Sequence, residues 1–226
     1  MTTRFRMSRP TLLLSAMAAS ILLAGCSEPA ATESETAERA PQDAFFDALA
    51  SHCGKAYAGG LVSRDAADAD FAGAPMVMHV AECSEDGIAV PFHVELDGEW
   101  DRSRTWLITR TDDGLRLKHD HRHADGEPDA VTMYGGDTAD EGNVRVQDFP
   151  VDAESIALFE REGLDASVTN VWTVEVDPAG AENARFAYQL KRTREGGASE
   201  DRLFRVEFDL TQEVEAPPAA WGHGSD

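Results

Sequence analysis

His119, His121 and His123 stand at alternate positions directly after Leu115 and Leu117, within the stretch GLRLKHDHRHADG. In an extended strand these five side chains share one face, and Arg116, Lys118, Asp120 and Arg122 share the other. With the leucines buried, the imidazoles climb from an apolar interior towards its mouth. Imidazoles placed in this way can hydrogen-bond an organic ligand or hold a metal ion. Successive members lie about 6.5 to 7 Å apart, and two of them can converge on zinc at about 2.0 to 2.1 Å per nitrogen. A straight strand brings the third in poorly, so zinc on His119, His121 and His123 calls for help from a neighbouring strand. His79 and His93 are the candidates. Both lie opposite apolar series, Met76, Met78 and Val80 for one and Phe92 and Val94 for the other, which turns them outwards. A third reading makes the histidines a polar rim paired with Asp120, Arg116 and Arg122.

Other chemistry has less to stand on. The chain has no Gly-x-Ser-x-Gly elbow and no His-Glu-x-x-His helix, and Cys53 and Cys83 are too far apart for a Cys-x-x-Cys redox pair. Asp65, Asp68 and Asp70 lack the spacing of an EF-hand loop. Binding without catalysis is therefore favoured over an enzyme. The large aromatics Trp106, Trp172 and Tyr188, with Phe186, Phe204 and Phe208, either fill a core or line a ligand cavity.

The elements that must position these residues are nearly all of period two. Strands are expected at 55–63, 75–83, 88–96, 105–111, the histidine stretch from 114, 130–134, 144–149, 168–176, 184–191 and 202–210. Asp112, Asp113 and Gly114 form a hairpin turn into the histidine strand. Two short helices complete the set. One follows Pro41 and carries Phe45, Phe46 and Leu49; the other spans 152–162, with Asp152 as its cap and Gly163 past its end. About ten strands with one apolar face each, and too few helices to cover an open sheet, call for an antiparallel up-and-down β-barrel or, alternatively, a β-sandwich. The barrel pattern resembles the calycin architecture of lipocalins and fatty-acid-binding proteins, which implies a small ligand inside. Residues 41–215 read as one domain, and 216–226, rich in Pro, Ala and Gly, as a disordered tail.

Arg4, Arg6 and Arg9 precede an apolar run that ends in Leu23-Ala24-Gly25-Cys26. This resembles the signal peptide and lipobox of bacterial lipoproteins. The resemblance implies that 1–25 is removed, that Cys26 is acylated, palmitate included, and that Ser27 after it sorts the protein to the outer membrane. Residues 26–40, small and acidic without aromatics, then serve as a disordered tether holding the domain on the periplasmic side. In an exported chain the remaining even pair, Cys53 and Cys83, is expected as a disulfide. The net charge is −22, and the leader holds three arginines and no acids, so its removal leaves about −25. That excludes nucleic acid as a natural partner. The expected partners are thus the membrane, through the lipid, and a small apolar or mixed ligand; a monomer is expected. No cofactor is required for this reading, and zinc is the one a histidine site would take. The alternatives are a metal-binding or metal-dependent protein and a structural or interaction protein of the envelope.

Overall fold

The computed structural model describes residues 40–224. The leader, the acylation site at Cys26 and nearly all of the tether lie outside the described residues.

The strands form a single antiparallel sheet. Its strands are β1 (Ala56–Leu61), β2 (Met76–His79), the two-residue β3 (Glu82–Cys83), β4 (Gly87–Leu96), β5 (Glu99–Thr111), β6 (Gly114–His121), β7 (Tyr134–Asp137), β8 (Val146–Pro150), β9 (Val171–Val176), β10 (Arg185–Arg192) and β11 (Arg202–Val214). The order around the sheet is β7, β6, β5, β4, β2, β1, β11, β10, β9, β8, with β3 beside β4. Neighbours in space are thus mostly neighbours in sequence, as in an up-and-down barrel, and a two-sheet sandwich is ruled out. The strand expected at 130–134 begins instead at Tyr134, because residues 122–133 form a loop pinned by the Arg122 to Pro128 bridge.

The barrel nearly closes where β7 meets β8. Gly136 forms an isolated bridge with Val151, and the Asp152 N–H donates to the Gly135 carbonyl at 3.0 Å. Two glycines are required at this seam. A Cβ on Gly136 would run into the Pro150 carbonyl, and one on Gly135 into the Leu117 carbonyl. Helix α2 (Ala153–Arg161) starts directly at the seam, with Asp152 capping its first turn through the Ser155 N–H at 2.7 Å. The Gly135 N–H in turn donates to the Ser155 hydroxyl at 2.7 Å. Lys118, on the outer face of β6, reaches Asp152 at 2.8 Å and ties the helix to the sheet.

Helix α1 (Pro41–Ala50) covers one end of the barrel. Phe45, Phe46 and Leu49 are buried in the core, Arg110 at the end of β5 pairs with Asp43 and lies 4.2 Å over the Phe46 ring. The expected disulfide is present: Cys53, just past α1, is bonded to Cys83 in β3, 30 residues on.

Part of the segment expected as a disordered tail is packed. Over Ala219–His223 the chain is strapped to the outside of the barrel. The Trp221 N–H donates to the Arg102 carbonyl at 3.0 Å, Arg102 donates to the Ala219 carbonyl at 2.6 Å, and His223 meets Asp120 at 2.6 Å. Ala220 is buried, and Gly222 lies too close to Arg122 and the Gly126 carbonyl to carry a side chain. His93 points outwards from β4, as its parity requires, yet is fully buried with no hydrogen-bond partner for either ring nitrogen.

The seam gives a direct test. Gly136→Val should cost about 3 kcal/mol or more by overpacking against backbone, whereas Gly60→Ala, where an added methyl meets nothing within 4 Å, should stay within about 0.5 kcal/mol. Urea unfolding of the two variants measures both.

Candidate functional site

The end of the barrel opposite α1 holds a cavity of about 270 Å³. Strand parity builds its wall. The inward series of β5 runs Ile108, Trp106, Arg104; that of β6 runs Leu117, His119, His121; that of β10 runs Phe186, Tyr188, Leu190, Arg192. On β9 it runs Val176, Val174, Trp172 and continues to Asn170. Each series starts apolar near α1 and ends polar at the cavity, with Trp106, His119, Trp172 and Tyr188 between. Helix α2 adds Phe159, whose ring centroid lies 5.3 Å from that of Tyr134. The 3-10 turn Ala66–Phe71 adds Phe71, edge-on to Phe204 at 6.0 Å.

Of the residues singled out in the sequence, Trp106, Trp172, Tyr188, His119 and His121 all line this cavity. His123 does not. Strand β6 ends at His121, and the His123 side chain, 59% exposed, turns towards Asp129 at 3.7 Å. The alternation continues on paper beyond the point where the loop to Pro128 bends the chain away.

His119 is fully committed. Its Nδ1 lies 3.0 Å from the Tyr134 carbonyl, which can only accept, so Nδ1 carries the proton. Its Nε2 then accepts from the Tyr188 hydroxyl at 2.7 Å. Burial holds the imidazole neutral, with its pKa lowered to about 3, and the same burial raises the Tyr188 phenol well above its ordinary value. His121 has a pKa lowered to about 4, first by burial and then by the Arg104 guanidinium. Its Nε2 lies 3.3 Å from the Tyr134 hydroxyl, and burial pushes that phenol up to about 12. The site therefore carries neutral histidines and protonated tyrosines at neutral pH.

Metal ligation has little room in this arrangement. Both nitrogens of His119 are occupied, the His119 and His121 rings stand nearly perpendicular with centroids 6.5 Å apart, and His123 is elsewhere. Among the described residues no three His, Cys, Asp or Glu side chains are grouped to hold a metal ion. His79 and His93, considered as helpers, lie on the outer face, as their parity requires.

Several residues of the cavity were not found from the sequence: Arg104, Tyr134, Asn170, Arg192 and Phe71. For Arg104, Asn170 and Arg192 the signal was available, since each is the next step along an inward series already recognised. Phe71 had none, because its place depends on the buried ion pair between Asp68 and Arg202 that fixes the 3-10 turn. Asp65 also reaches Arg202, at 3.2 Å.

A second histidine pair repeats the chemistry at the closed end. His52 sits 2.7 Å from the Tyr57 hydroxyl and 2.8 Å from the Asp177 carbonyl, so Nε2 donates and Nδ1 accepts. Burial lowers its pKa as well.

The buried imidazoles make stability depend on pH. His93 and His121 have pKa values near 4 and His119 near 3, against 6.5 unfolded, so below pH 6.5 the unfolded chain binds more protons. Stability is full above that value and is lost as pH falls towards 4, at up to about 1.4 kcal/mol per pH unit for each group. The carboxylates with lowered values, Asp101, Asp120, Asp152 and Glu175, act only below that window. Urea unfolding at pH 7 and pH 5 should show a drop of several kcal/mol, and His93→Phe should reduce the slope by about one proton.

Comparison of the chain with protein-family models, with curated proteins and with solved structures gave no match.

Proposed function

We propose that the barrel binds one small, largely apolar ligand without transforming it, and that acylated Cys26 holds it on the outer membrane, facing the periplasm. The observation that carries the binding reading is the cavity itself. A barrel that needed only a core would pack both ends as α1 packs one; here aromatic side chains are left with space between them. At about 270 Å³ the space lies just below the roughly 300 to 1,000 Å³ of drug-sized sites, so the ligand is of single-ring or short-chain size. The neutral His121 imidazole and the Tyr134 hydroxyl supply polar contacts without a fixed charge of their own. The anchor reading is supported by the Leu-Ala-Gly-Cys sequence at 23–26 alone, and with it the disulfide fits an oxidising compartment.

Small aromatic and short-chain compounds titrated against the intrinsic fluorescence should perturb Trp106 and Trp172 with saturation. Val131→Trp, which fills the cavity from its lining, should weaken binding at least about tenfold while leaving the melting temperature within a few degrees. A saturable response that survives the filled cavity would refute the site. Separately, Cys26→Ala should move the protein from the membrane to the soluble fraction on cell fractionation, with ligand affinity unchanged.

A further inference from the structure

In a chain with 42 acidic and 20 basic residues, the cavity lining contains two arginines, Arg104 and Arg192, and no aspartate or glutamate. The charged groups of the lining are thus opposite in sign to the net charge of the protein. We infer that the occupant is a small organic anion, an apolar or aromatic body carrying a carboxylate, bound with its charged end at Arg104. This inference rests on the reading of the cavity as a ligand site.

Arg104 is placed for the role by strand parity, inward on β5 and cross-strand from His121. Asp101, three residues earlier on the same strand, binds one guanidinium nitrogen, Nη1, and Phe71 lies beneath the cation at 5.6 Å. No further partner engages its other nitrogens among the described residues. A guanidinium held by one edge presents the other as a ready fork for a carboxylate. Asp101 neutralises its formal charge but is not itself part of the lining, so an entering ligand meets donors.

The remaining polar groups have the same sense. Arg192 is held by Glu200 at 2.8 Å and by the Asn170 side-chain oxygen, Oδ1, at 3.4 Å; its side chain is 10% exposed and its Nε is buried without a partner. With its oxygen turned to Arg192, Asn170 has only its amide N–H groups to offer a ligand. Asp129, Asp120 and Asp101 act on His121, and Asp129 on Tyr134, from outside the lining. A cationic ligand would find aromatic faces it could use, but also two guanidinium groups and no counter-charge among the walls.

The test uses the full chain and three probes that share one body: 3-phenylpropanoate, 3-phenylpropan-1-ol and 3-phenylpropylamine, titrated calorimetrically at pH 7. The acid should bind at least about tenfold more tightly than the alcohol, and the amine more weakly than either. Arg104→Gln should abolish the preference for the acid while leaving the alcohol's affinity within about threefold, and Arg104→Lys should restore part of it, which a merely misfolded variant would not do. If acid and alcohol bind equally, or the acid preference survives Arg104→Gln, the anion assignment falls and the cavity reading stands. If none of the three binds, the cavity reading falls and takes the assignment with it.

Discussion

A sheet closed on itself gives each strand one inward and one outward face, and the rest of this molecule depends on keeping that two-residue parity intact along the inward series of β5, β6, β9 and β10. In the pleat a slip of one residue exchanges the faces. Trp106, His119, Trp172 and Tyr188 meet at one height only because four strands keep step. Register is fixed by cross-strand pairing, with Trp106 opposite His119 and Leu190 opposite Trp172. It is reinforced by stacking of Trp106 on Tyr188, at 4.4 Å between centroids. The two glycines at the seam belong to the same constraint, since the barrel can close there only if backbone lies against backbone.

Once parity is set, burial decides the electrostatics. His121 is acted on by three carboxylates that favour its charged form, Asp129, Asp120 and Asp101, yet desolvation and Arg104 prevail and its pKa falls to about 4. The net charge of the chain therefore says little about charge inside it. Hydrogen bonding acts in the same direction. His119 is held between an obligatory acceptor and a phenol that burial keeps protonated, and charging it would leave Nε2 and Tyr188 both donating into one contact. The His52 and Tyr57 pair follows the same rule at the closed end, so that a neutral imidazole between a carbonyl and a tyrosine stiffens both ends of the barrel.

The parity of β6 was legible as far as His121 because alternating leucines and histidines permit few other folds. The reading overshot at His123, since sequence alternation carries no mark of where a strand bends off the sheet. The inward arginines on β5 and β10 were legible by the same rule but ran against the habit of assigning charged residues to the surface. Two features had no local signal at all. The Asp68 and Arg202 pair joins residues 134 positions apart, and a segment of Pro, Ala and Gly reads as disorder unless the surface it lies on is known. Its contacts are with residues far off in sequence: Arg102 on β5, Asp120 on β6, and the Arg122 side chain, which a Cβ on Gly222 would strike.

An anion-seeking cavity inside so acidic a protein is physically consistent because the two effects act over different distances. At physiological salt, charges beyond about 8 Å are largely screened, so surface carboxylates around the barrel present a weak, diffuse repulsion. A carboxylate about 4 Å from Arg104, in surroundings with an effective dielectric constant near 20, gains on the order of 4 kcal/mol before desolvation. The arginines are kept in place by Asp101 and Glu200, neither of which is part of the lining. Paired in this way, a guanidinium avoids the cost of an isolated buried charge and still presents donors to the interior. Acidic partners thus make arginines in the interior tolerable, and the inward place of each arginine is again set by the parity of the strand that carries it.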